Sequence, residues 1–182
     1  MLEEKARTFA EAAHAGIDHR RKYTNEPYIN HPAAVVALVR SVPHTEAMLA
    51  AAWLHDTVED TPVTLAQIEA EFGPEVAALV DQLTDVSRPQ DGNRKTRKAI
   101  DLAHTAQASA PAKTIKLADL IDNTRTIATY DPSFARVYLA EKAALLEVLR
   151  EGDITLQQIA LRQTEDALDA PPTFNQTSGG KP

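Results

Sequence analysis

An all-α helical bundle is the fold this 182-residue sequence predicts. Three observations carry the expectation. Alanine and leucine are abundant, in segments whose apolar residues recur every three to four positions. Alternating runs of β-branched residues, the mark of half-buried strands, are scarce. Gly, Pro, Thr and Asp stand where helices begin and end.

The elements follow in order. Residues 3–15 place Ala6, Phe9, Ala10 and Ala13 at helical spacing, and Gly16 stops the run. Asn25, Pro27 and Asn30 mark 17–30 as a loop. Pro32 suits the first turn of a short helix to about Ser41. Thr45 caps a helix expected to run through Trp53 and His55. Residues 64–72 form the next, stopped by Gly73, and Pro74 opens a helix with Val76, Leu79, Val80 and Leu83 on one face. After a polar loop at 87–93 comes a helix over 94–109, which Pro111 should break, and then one over 112–129 with Ile115, Ala118, Ile121 and Arg125 at turn spacing. Asp131-Pro132 starts a helix to about Arg150, with Phe134, Tyr138, Leu145 and Leu149 as inward positions, and 155–168 is the last. Residues 1–169 therefore read as one domain, and 170–182, with Pro-Pro and Ser-Gly-Gly, as a disordered tail.

Composition narrows the function. A hydrophobic fraction of 43 % suffices for one core, and no apolar run nears the roughly 20 residues that span a bilayer. The acidic start Leu2-Glu3-Glu4 lacks an apolar signal core, which points to the cytoplasm. The absence of cysteine removes thiolate nucleophiles and zinc–thiolate sites. A net charge of −7 argues against a polymeric nucleic acid as partner. The cations are nonetheless clustered, at Arg20-Arg21-Lys22 and at Arg94, Lys95, Arg97 and Lys98, as local anion sites or solvated faces. Oligomeric state is not encoded in any of this.

The chemistry concentrates in His55-Asp56-Thr57-Val58-Glu59-Asp60. Adjacent His and Asp near a helix end can reach one ion, and Glu59 shares their face if the helix continues. His31, before Pro32, and Asp119, in an otherwise apolar helical segment, supply two more ligands. A carboxylate on such a face is costly unless it is paired or ligates a cation. Two imidazoles with two carboxylates suit Mn²⁺, Fe²⁺ or Zn²⁺ and leave positions open for water and substrate. His14, His19, His44 and His104 read as structural or solvated.

The order His31…His55-Asp56…Asp119 resembles the signature of HD-domain phosphohydrolases, whose fold is an HD-domain helical bundle. The finer similarity is to the hydrolase domain of the RelA/SpoT family, including its small stand-alone alarmone hydrolases. It rests on Arg21-Lys22, Pro27-Tyr28-Ile29-Asn30-His31-Pro32, Leu54 to Thr61, Phe72-Gly73, Leu83-Thr84-Asp85, and Lys116-Leu117-Ala118-Asp119 with Asn123. These run in order from about residue 5 to 150.

The resemblance implies Mn²⁺-dependent hydrolysis of the 3′-diphosphate of guanosine tetra- or pentaphosphate. It makes His31, His55, Asp56 and Asp119 the metal ligands and Glu59 and Asp60 the catalytic carboxylates. Arg21, Lys22, Asn123 and Tyr138 would face a small nucleotide substrate. Two positions depart from the family. Leu120 replaces the usual Arg or Lys, and Asp122 stands where an uncharged residue is common. They leave the choice between guanine and adenine open, and with it an alternative substrate such as an adenosine analogue of the alarmone or NADPH. A silent nucleotide-binding module is a third reading, against which the presence of both Glu59 and Asp60 argues.

Overall fold

A computed structural model describes residues 1–169; the tail expected to be disordered lies outside the described residues. The described chain is helical, with α1 Leu2–Ala15, α2 Asn30–Arg40, α3 Glu46–Leu54, α4 Thr57–Asp60, α5 Leu65–Phe72, α6 Pro74–Leu83, α7 Arg94–Ala106, α8 Ala110–Tyr130, α9 Pro132–Val148 and α10 Ile154–Asp169. A short 3-10 turn, Pro89–Asp91, precedes α7. No helix among the described residues is long and apolar enough to cross a membrane.

Two helices organise the rest. Every residue of α3 from Ala47 to Leu54 is buried, so this helix lies wholly inside, packed by α1, α2 and α6. Its four alanines let those neighbours approach closely. The long α8 takes α2, α6, α9 and α10 around its buried stretch from Ala112 to Ile121. Each large aliphatic side chain enclosed there, such as Leu54, Ile115 and Leu117, contributes roughly 1.5–3 kcal/mol through water exclusion.

The local signals act as the sequence implied. Thr45 Oγ1 accepts from the Met48 amide at the start of α3, and Thr64 with Gln67 makes a reciprocal capping box for α5. Gly73, at φ +85°, turns the chain from α5 into α6 in a region closed to most side chains.

Three expectations are corrected. The helix through His55 ends at Leu54, and α4 starts afresh at Thr57. Side chains capture the terminal carbonyls: Thr57 Oγ1 donates to Leu54 O at 2.7 Å and His55 Nδ1 to Ala52 O at 2.8 Å. Pro111 breaks nothing; it sits in the first turn of α8, where its missing N–H costs no hydrogen bond, while Arg125 on that helix is exposed. On α9 the buried residues are Ala135, Leu139, Lys142 and Leu146, and the expected Phe134, Tyr138 and Leu145 beside them are only half-buried, while Leu149, just past the helix end, is buried as expected.

Candidate active site

The break between α3 and α4 shapes the site. It lets His55 and Asp56 turn inward at the end of α3 while Glu59 and Asp60 ride on the following turn. His31 enters from the first turn of α2 and Asp119 from the middle of α8. His31 Nε2 lies 3.1 Å from Asp119 Oδ1 and 3.6 Å from Asp56 Oδ2. His55 Nε2 lies 3.0 Å from Asp56 Oδ2 and 3.8 Å from Asp119 Oδ1. The four side chains named from sequence thus converge on one small volume, and ligand atoms of His31, His55 and Asp56 lie within 4.8 Å of one another.

These residues fit a divalent metal by the direction of their lone pairs. Both imidazoles are tied at Nδ1: His55 donates to Ala52 O, and His31 pairs with Asp122 Oδ2 at 2.7 Å. Nε2 of each ring therefore faces the carboxylates. His55 Nε2 is buried and has no hydrogen-bond partner among the described residues, although Asp56 Oδ2 stands 3.0 Å away. A buried polar atom left in that state calls for a partner.

The electrostatics point the same way. Burial would push the His55 imidazole down, yet Asp56 and Asp119 outweigh it and hold the ring well above its ordinary range. Burial likewise opposes ionisation of Asp119, but Lys116 at 2.9 Å and the two imidazoles keep the carboxyl well below the usual range. The pocket is built to hold positive charge at its centre.

Around it stand groups that sequence reasoning named only in passing. Tyr28 donates its hydroxyl to Asp56 Oδ2 at 2.6 Å, and His19 stacks on the Tyr28 ring at 3.7 Å between centroids. The buried His14 lies against both, 3.0 Å from His19 between Nδ1 atoms. Lys116, part of the motif around Asp119, braces that carboxylate. Only Tyr28 and Lys116 were foreshadowed, by their places in matching motifs.

Glu59 and Asp60 line a cavity of about 990 Å³ together with Asp56, Asp119, Tyr138 and Asn123. Burial, with the Asp85 and Asp56 carboxylates, pushes Glu59 up to about 7, and its Oε2 accepts from the Asp85 amide at 3.2 Å. Burial and Asp56 raise Asp60 as well. The same cavity is lined by Arg94, Lys95 and Lys98 of the second basic cluster. Arg94 is engaged by Glu141 through two bonds of 2.8 Å, and Lys98 by Asp85 at 2.9 Å.

Arg21 and Lys22 line a second cavity, of about 250 Å³, with Asn123 and Phe134. Arg21 is 12 % exposed and pinned, donating to Asn123 Oδ1 and Thr126 Oγ1 at 3.2 Å each. Lys22 is 74 % exposed, its Nζ above the rings of Tyr23 and Phe134, 3.3 Å from the Tyr23 hydroxyl and 4.0 Å from Asp131 Oδ2. Asn123 and Tyr28 border both cavities, while Tyr138 belongs to the larger one only, its hydroxyl donating to Leu120 O at 3.3 Å. The four expected nucleotide contacts are therefore split between two chambers joined at Asn123.

A helical domain that gathers two histidines and two aspartates from three separate segments is of the HD class. The HD domain family matches residues 6–164, and the chain belongs to that family. It is 37 % identical over 132 residues to the guanosine-3′,5′-bis(diphosphate) 3′-pyrophosphohydrolase MESH1 of Xenopus tropicalis, covering 70 % of each chain. It is 38 % identical over 135 residues to a probable guanosine-3′,5′-bis(diphosphate) 3′-pyrophosphohydrolase of Synechocystis, covering 72 % of this chain and 17 % of that far longer one. Its structure superposes on that of a metazoan ortholog of SpoT that hydrolyses ppGpp, with a TM-score of 0.80, 29 % identity, and 91 % and 95 % of the two chains covered.

Proposed function

We propose that this protein hydrolyses the 3′-diphosphate of guanosine tetra- or pentaphosphate, giving GDP or GTP and pyrophosphate, with Mn²⁺ held by His31, His55, Asp56 and Asp119. The observation that carries the reading is the meeting of those four side chains, both Nε2 atoms inward, beside two unligated carboxylates on the next turn. The activities for which the relatives are named agree with it. A cytoplasmic location suits such a nucleotide substrate.

A divalent metal bound there supplies Lewis acidity toward a phosphoryl oxygen and makes water a better nucleophile near neutral pH. The remaining work falls to the chain. Glu59, its carboxylate steadied by the Asp85 amide, accepts the proton of the attacking water. The 3′-oxygen–phosphorus bond breaks, and Asp60 returns a proton to the departing 3′-oxygen. Arg21, pre-set by Asn123 and Thr126, grips phosphate oxygens with two N–H groups, and Lys22 swings in from solvent. Asn123 and Tyr138 border the space left for the nucleoside. Nothing in this scheme needs a nucleic-acid polymer or a membrane.

The test is a panel of 3′-phosphorylated nucleotides incubated with purified protein and Mn²⁺, products separated by chromatography. Pyrophosphate release from guanosine 3′,5′-bis(diphosphate), with GDP left and 5′-only nucleotides untouched, is the expected result. Faster turnover of the adenosine analogue or of NADPH would shift the substrate, not the chemistry. Inertness toward the whole panel would overturn the reading.

A further inference from the structure

We propose that Asp122 is a positioning residue for His31, fixing its ring so that Nδ1 carries the hydrogen and Nε2 turns its lone pair to the centre. The inference rests on the metal-centre reading above and adds to it a residue that departs from the RelA/SpoT pattern.

The two imidazoles are anchored by different means. His55 takes its anchor locally, from the Ala52 carbonyl three residues back. His31 lies on another helix, is 1 % exposed, and finds its Nδ1 partner 91 residues away, on α8. Asp122 stands three positions after Asp119, so one face of α8 carries a ligand and the anchor of another ligand. Without an acceptor at Nδ1 the ring can rotate or take the other tautomer, which puts a hydrogen on Nε2 where a lone pair is needed.

A simpler role for Asp122 would be to neutralise Arg21, whose NH2 lies 3.5 Å from the same Oδ2. The distances favour His31. The bond to Nδ1 is 2.7 Å, and Arg21 already has Asn123 and Thr126. The guanidinium instead serves the dyad, standing 3.5 Å from the oxygen that binds His31. Asp122 thus stands behind His31, against Nδ1, and is absent from the lining of both cavities.

Metal-stripped wild type, Asp122→Leu, Asp122→Asn and His55→Ala are titrated with Mn²⁺ alone by calorimetry, with thermal melts to confirm folding and the imidazole nitrogen–proton NMR spectrum as a second readout. Asp122→Leu should weaken Mn²⁺ roughly 10- to 100-fold and lose the His31 Nδ1–H signal. Asn keeps an acceptor oxygen at that place, so Asp122→Asn should stay within about 10-fold of wild type and keep the signal. Should the Leu variant not fold, a lost signal and weakened Mn²⁺ in a folded Asp122→Asn would still overturn the acceptor role. Unchanged Mn²⁺ affinity in Asp122→Leu, with binding abolished in His55→Ala, would overturn the role of Asp122 alone. Unchanged affinity in His55→Ala would overturn the metal centre and this inference with it.

Discussion

Glu59 has the surroundings of a general base. Burial and two neighbouring carboxylates raise it to about 7, and the Asp85 amide fixes one oxygen. Replacing it with Gln keeps the shape and removes the basic lone pair. Glu59→Gln should bind Mn²⁺ as wild type does while turnover falls roughly 10²–10⁴-fold. Metal content by elemental analysis, read beside the rate, separates the roles; loss of metal would make Glu59 a ligand. At this scale the sequence was informative because chemistry-bearing residues are hard to place by accident. Asp119 in an apolar helical stretch stood out as a charge in need of a partner. Tyr28 and Asp122 were visible, one inside a matching motif and one as a departure from it, but not their contacts, which depend on which residues distant segments bring to them.

Among the elements, α9 holds the least expected feature. Its buried face is Ala135, Leu139, Lys142 and Leu146, so that apolar spacing placed Phe134, Tyr138 and Leu145 one residue early and only Leu149 on the buried side. A lysine in a core position hides that face from any pattern of apolar residues. Lys142 is fully buried, donating to Thr124 Oγ1 of α8 and Gln163 Oε1 of α10 at 2.9 Å each, and has no ion pair among the described residues. Burial pulls its ammonium down to about 7. The folded chain then binds fewer protons than the unfolded one between about pH 7 and the ordinary lysine range, so stability rises with pH across that window. The wild type should gain about 2 kcal/mol more than Lys142→Met between pH 7 and 9. Denaturant melts at the two pH values measure this, and parallel profiles would show that the amine stays charged inside. The break between α3 and α4 escaped the sequence for a related reason. Helical propensity runs on through His55, and only side-chain capture of the Ala52 and Leu54 carbonyls ends the helix.

Across the whole molecule, helix order and most boundaries were legible because Pro, Gly and Thr mark their ends, as Thr45, Thr64 and Gly73 do, while the separate α4 was not. What the chain could not announce is how the helices divide space. The larger chamber, between α7 and α9, holds the carboxylates, and the smaller, at the 17–30 loop, holds Arg21 and Lys22. Such a division depends on packing around α8, which no local pattern contains. On the proposed function, this packing builds one metal centre that drives removal of a 3′-diphosphate. Metal-stripped protein titrated with Mn²⁺, with pyrophosphate release from guanosine 3′,5′-bis(diphosphate) followed at each step, tests it most directly. Activity should rise from baseline, saturate at one ion per chain and stay at baseline in Asp119→Ala; full turnover without metal, or an Asp119→Ala variant as active as wild type, would contradict it.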